Sequence, residues 1–132
     1  MKACFVDTSA AYAALDASDE FHERAVKTWV AKIEEKYSMI ISNYVIVETT
    51  ALLQSRIGME AAMGFTERLV PLMRVEWVDE ETHKEATTAY LLTSKRKLSL
   101  VDCTSFIIMR RLGLKEAFAF DRHFTEQGFM TA

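Results

Sequence analysis

Four carboxylates in this chain each follow an apolar run: Asp7 after Ala3-Cys4-Phe5-Val6, Glu48 after Val45-Ile46-Val47, Asp102 after Leu100-Val101, and Asp121 after Ala117-Phe118-Ala119-Phe120. Most other acids, among them Asp19, Glu20, Glu34, Glu35, Glu80 and Glu81, sit in polar surroundings. An ionised carboxylate held against a core costs several kcal/mol unless compensated, and clustered carboxylates repel one another besides. Either each acid has a private hydrogen-bonding partner, or together they share a cation. Private partners are at hand: Asp102 stands at the last position of a Ser99-Leu100-Val101-Asp102 capping box, Glu48 near a helix start, Asp121 beside Arg122 in a turn, and Asp7 at a strand end. The shared alternative is a hard cation, Mg²⁺ or Mn²⁺, because the set is all oxygen. His22, His83 and His123 are scattered and are expected on the solvated surface. A carboxylate site of this kind leaves room for phosphate oxygens, so its chemistry would be metal-assisted hydrolysis of a phosphodiester.

To bring such acids together, the chain needs elements that end at one edge. Residues 3–6 have the continuous apolar character of a buried parallel strand. After a cap at Ser18 or Asp19, the spacing of Phe21, Ala25, Trp29 and Ile33 predicts a helix. A strand over 39–41 leads into a helix capped by Ser42 or Asn43 and ended near Gly58, and a further helical stretch over 60–70 stops before Pro71. Next come a strand over 75–78, a helix begun at Asp79 or Thr82, a helix opened by Ser99 and closed by Gly113, a strand over 117–120 and a short final strand. Strands separated by helices imply parallel pairing with right-handed crossovers. The expected fold is a three-layer α/β/α sandwich around a mainly parallel sheet of four to five strands. In such a sheet strand ends and helix starts share one edge, where ligands bind. Two of the acids end strands and two open helices, so all four can converge there.

Composition bounds the partners. With 132 residues, half of them hydrophobic, one core and a single domain over 1–132 are expected. A net charge of -3 excludes a protein that coats nucleic acid by overall basicity, so any such contact must be local. Cys4 and Cys103 form no C-x-x-C pattern, which argues against zinc or a disulfide and for a reducing cytoplasm. Lys2 precedes only four apolar residues, unlike a signal peptide, and no run approaches the roughly 18 that span a membrane.

Taken in order, Val6-Asp7-Thr8-Ser9, Val47-Glu48, Leu100-Val101-Asp102 and Phe120-Asp121-Arg122-His123-Phe124 resemble the acidic motifs of PIN-domain ribonucleases. The closing 124–129 stretch with Gly128 is similar too, particularly to the small toxin members of the VapC type. The resemblance covers essentially the whole chain. It implies a compact α/β/α domain, Mg²⁺ or Mn²⁺ dependence and endonucleolytic cleavage of RNA, as the toxin of a toxin–antitoxin pair, commonly a homodimer held by an antitoxin. By that correspondence Asp7, Glu48, Asp102 and Asp121 hold the metal, directly or through water, and orient the attacking water. Thr8 or Ser9 would steady the first carboxylate or a metal-bound water, and Thr104 and Ser105 would do the same on the other side, although all four are also ordinary residues for a helix start. Cys103 reads as packing. Lys95, Arg96 and Lys97, with Arg110, Arg111, Arg122 and His123, are the candidates for phosphate contacts, set against the common reading of such runs as a solvated face.

Two other classes compete. A haloacid dehalogenase-type phosphotransferase wants a second acid two residues after the first, where Ser9 stands, and a receiver domain wants an acid pair beside the first strand. Neither pattern fits. A catalytically idle PIN-like module that binds RNA or protein is the remaining alternative, and retention of four acids speaks against it. Finally, Tyr12, Leu15, Phe21 and Trp29 offer large apolar surface, expected in part to serve a dimer or an antitoxin helix.

Overall fold

β1 (Ala3–Val6) runs through the middle of the molecule, with Cys4, Phe5 and Val6 buried, as a strand covered on both faces requires. The computed structural model describes residues 2–93 and 98–131. On one side β1 pairs with β2 (Ser38–Ser42), which pairs with β3 (Arg74–Glu76); on the other it pairs with β4 (Glu116–Phe118), which pairs with β5 (Met130–Thr131). Every pairing is parallel, with Phe5 opposite both Ile40 and Ala117. The order β3-β2-β1-β4-β5 means that the chain reverses its direction of travel between β1 and β4. A crevice opens outside the strand ends at such a reversal.

Among the described residues seven α-helices flank this sheet: α1 (Thr8–Leu15), α2 (His22–Glu34), α3 (Asn43–Arg56), α4 (Met59–Gly64), α5 (Glu80–Leu92), α6 (Leu100–Leu112) and α7 (His123–Glu126). α1 lies close because its buried residues include Ala10, Ala11 and Ala13, whose small side chains also leave no periodicity to mark its bounds. α3 presents Val45, Thr49 and Leu53, spaced by four, to the interior. Its start is tied to β2 by Ser42, whose buried Oγ accepts the Val45 N–H at 3.1 Å. Ser42→Ala is expected to cost about 1 kcal/mol by removing this cap, read as a lower midpoint in chemical denaturation with an unchanged slope. α6 begins with a complete capping box and ends at Gly113, whose φ of 70° is the left-handed closure that glycine tolerates.

Several boundaries differ from expectation, each for a hydrogen-bonding reason. The helical path after Gly58 does not stop before Pro71: α4 passes into a π-helical turn over Phe65–Leu69 and a 3₁₀ turn over Val70–Leu72. Pro71 sits in the first positions of that turn, where no N–H is demanded of it. β3 ends before Val78 because the Val78 N–H donates to Asn43 Oδ1 at 2.6 Å. β4 ends before Phe120, whose N–H donates instead to Ser9 Oγ at 3.0 Å.

The apolar surface expected for a partner is largely turned inward. Tyr12 is buried, Leu15 is half-buried, Phe21 stacks on Phe120 at 4.8 Å, and Trp29 packs over Phe118 at 6.4 Å. The exposed apolar residues of α2 are instead Val26, Val30 and Ile33. Among the described residues no helix is long and apolar enough to cross a membrane, and both cysteines are buried free thiols.

Candidate active site

Asp7 is placed by both central strands. Its backbone N–H donates to Phe118 O at 3.0 Å, stitching the end of β1 to the end of β4. Its Oδ2 accepts from the Ser9 N–H at 3.1 Å and from Ser9 Oγ at 2.6 Å, and that same Oγ accepts the Phe120 N–H. Ser9 therefore orients the first carboxylate and anchors the loop that leaves β4. Asp121 stands on that loop, and its Oδ1 accepts the His123 N–H at 2.9 Å. Asp102 lies at the third position of α6, where its Oδ2 accepts the Ser99 N–H at 3.3 Å, so the private-partner reading of this acid is realised in geometry. That bond leaves room for a second role. Glu48 is the sixth residue of α3, half-buried and past the first turn, where the helix dipole gives it little.

These acids share one electrostatic neighbourhood. Burial pushes the Asp7 carboxyl up to about 7, opposed by the Ser9 hydrogen bonds and reinforced by the charges of Asp102 and Asp121. Burial also raises Asp102; the Ser99 N–H and His123 oppose the rise, while Asp121 and Glu48 add to it. His123 completes the cluster: its Nδ1 lies 3.0 Å from Asp121 Oδ1 and 3.5 Å from Asp102 Oδ2. Ligand-capable atoms of Asp102, Asp121 and His123 all fall within 4.8 Å of one another. The donor set fits a small divalent cation, since converging carboxylates that repel one another are stabilised in their charged forms by a shared positive ion.

The histidines depart from the expected solvated surface, His22 and His83 because each has an inward partner. His22 Nδ1 lies 2.8 Å from Ala13 O, His83 Nδ1 meets the Tyr44 hydroxyl at 2.5 Å, and the His123 side chain is only 20% exposed. Among the hydroxyls, Thr8 Oγ1 is buried without a hydrogen-bond partner among the described residues. Thr104 and Ser105 are not on a carboxylate: both donate to Val101 O, at 2.7 and 3.0 Å, because a helical hydroxyl readily reaches the carbonyl three or four residues before it.

Of the basic candidates, Arg122 is exposed and sits 3.9 Å from Glu126. Arg110 is bonded to Gln127 and Arg111 to Thr82 and Glu85. Lys95, Arg96 and Lys97 lie outside the described residues. Sequence reasoning missed Arg56. With Thr8, Ser9, Phe21, Phe120 and Asp121 it lines a cleft of about 270 Å³, its guanidinium 5.2 Å from the Tyr12 ring centre. The signal was its place two turns after Glu48 on one helix. A larger cleft of about 440 Å³, beside Lys2, Gly113 and Glu116, lies at the opposite ends of the strands, away from all four acids.

The PIN domain family model matches residues 4–130. The 23S rRNA-specific endonuclease VapC20 of Mycobacterium tuberculosis is 37% identical over 127 residues, which cover 96% of this chain and 95% of the relative. The crystal structure of that organism's VapC20, described as a Sarcin-Ricin loop cleaving toxin, superposes with a TM-score of 0.87 at 37% identity over 96% of each chain. FitAcB from Neisseria gonorrhoeae superposes with a TM-score of 0.69 at 15% identity, covering 97% of this chain and 95% of that one, a likeness of fold alone.

Proposed function

Because the chain belongs to the PIN-domain family, we propose that it is a divalent-cation-dependent endoribonuclease, the toxin of a toxin–antitoxin pair, with 23S ribosomal RNA as its substrate. The observation that carries the reading is the placement of Asp7, Asp102 and Asp121, with Glu48 coupled to them, outside the joined ends of β1 and β4, where the chain's path through the sheet reverses. The choice of RNA rests on the 37% identity to VapC20, whose name specifies 23S rRNA.

When bound, Mg²⁺ or Mn²⁺ would neutralise the scissile phosphate and acidify the attacking water. Asp7, Asp102 and Asp121 would hold the ion. Glu48 would orient the water. Ser9 keeps the Asp7 carboxylate aimed while tying down the loop that carries Asp121. Arg56 and the exposed Arg122 stand on either side of Asp121 in neighbouring clefts and would contact phosphates flanking the cut. The partners implied are RNA, a second copy of the chain and an antitoxin, in the cytoplasm, with Val26, Val30 and Ile33 as apolar surface on offer.

Ribosomal RNA treated with the purified protein and Mn²⁺ should be cut at one position, and EDTA should abolish the cut. Intact RNA in the presence of Mn²⁺ would overturn the proposal.

A further inference from the structure

We propose that His123 Nδ1 is a direct ligand of the cation, so that the site is a mixed nitrogen-and-carboxylate centre that takes Mn²⁺ in preference to Mg²⁺. The inference rests on the cation reading of the site given above. Its first support is spacing. A six-coordinate ion holds its ligands at about 2.0–2.2 Å, which sets neighbouring ligand atoms about 3 Å apart. Nδ1 lies 3.0 Å from Asp121 Oδ1 and 3.5 Å from Asp102 Oδ2, the separations of adjacent ligands on one ion.

Orientation supplies the second support. Nδ1 is buried and makes no hydrogen bond among the described residues, although a carboxylate oxygen stands 3.0 Å away. The line from the nitrogen to that oxygen is therefore off the ring's in-plane axis. An imidazolium donating to Asp121 would place its N–H on that line. A ring nitrogen this close to two carboxylates, with no hydrogen bond from it to either, is an unfavourable grouping unless something positive stands among the three. Ligands of one ion meet both conditions, because each points at the ion and past its neighbour.

The backbone that carries the ring is also held in place before any ion arrives. The His123 N–H is fixed by Asp121 Oδ1, and the next residue, Phe124, is fully buried against Phe106 at 5.0 Å between ring centres. Imidazole in the ligand set biases the choice of metal. Mg²⁺ prefers oxygen donors and retains water, whereas Mn²⁺ accepts nitrogen more readily.

Pulsed electron paramagnetic resonance of the protein loaded with Mn²⁺ alone tests this without any turnover. Modulation from a directly bound ¹⁴N is expected in the wild type and should vanish in His123→Gln. By calorimetry the same substitution should weaken Mn²⁺ binding about tenfold or more and Mg²⁺ binding by less than about threefold. Asp102→Asn serves as the control for the site and should weaken both ions. Mn²⁺ that binds the wild type, responds to Asp102→Asn and shows no ¹⁴N modulation would overturn the histidine ligand while leaving the carboxylate site standing. Failure of Mn²⁺ to bind, or binding indifferent to Asp102→Asn, would remove the cation reading and this inference with it.

Discussion

Asp102→Asn is expected to lower RNA cleavage by roughly three orders of magnitude or more, while the metal-free protein melts at the same temperature or higher. The asparagine keeps the shape of the side chain, and its remaining carbonyl oxygen can still accept the Ser99 N–H that Asp102 accepts at 3.3 Å. The α6 cap is thus preserved in outline. What disappears is one negative charge from a group in which burial and the charges of Asp121 and Glu48 already hold Asp102 above the ordinary carboxylate range. Its removal relieves repulsion in the empty site and takes a ligand from the occupied one. The capping box in the structure makes the test sharp, because a purely structural Asp102 predicts the reverse: a loss of around 1 kcal/mol with cleavage nearly intact. Cleavage rates and melting temperatures of the metal-free protein, measured together, decide between them. Preserved cleavage in a destabilised variant would sink the catalytic assignment.

The second large effect belongs to Asp7 and to pH. Its carboxyl has a pKa of about 7 in the fold, against an ordinary value of 3.8. Between those values the folded state keeps a proton that the unfolded chain has released. The stability linked to this proton is complete below the lower value and is lost as pH rises through the upper one. A shift of this size corresponds to on the order of 4 kcal/mol across the interval. The metal-free wild type should therefore melt at a lower temperature at pH 8 than at pH 5. Asp7→Asn should flatten much of that slope and be the more stable of the two at pH 8. Saturating Mn²⁺ should restore the wild type at pH 8 without helping the variant equally, since a cation replaces the missing proton. Other groups titrate in this range, so the readout is the difference between wild type and variant. Parallel pH profiles for the two proteins would show that Asp7 is not the buried acid responsible.

Much of the architecture was legible because its signals are local. A buried parallel strand declares itself by an uninterrupted apolar run such as Cys4-Phe5-Val6, and Ser99 to Asp102 carries its own helix start within four residues. An acid directly after such a run is conspicuous, and the topology that follows from alternating strands and helices carries such acids to one edge of the sheet. The positions of Asp7, Asp102 and Asp121 therefore follow from pattern and a general rule about parallel sheets.

Strand ends were less legible because they depend on who takes a backbone N–H. Phe120 leaves the ladder for a serine hydroxyl 111 positions earlier in the chain, and Val78 for the side chain of Asn43. The same holds for the apolar residues of the first two helices. Phe21 and Trp29 read equally well as docking surface or as core until Phe118 and Phe120 are found beneath them. Periodicity reports that a face is apolar, and only packing decides what covers it.

His123 marks the boundary most clearly. By itself the sequence determined an apolar strand, a carboxylate after it and three more carboxylates at comparable places, since each of those patterns lies within a few consecutive residues. It set His123 beside Asp121 as a candidate phosphate contact, with nothing to show that its ring would meet Asp102. The tertiary structure decided that its ring nitrogen, and not Thr104 or Ser105, stands beside Asp102. The physical reason is that the 3.5 Å between His123 Nδ1 and Asp102 Oδ2 is set by how α7 packs on α6, with Phe124 against Phe106, and no local pattern encodes that packing.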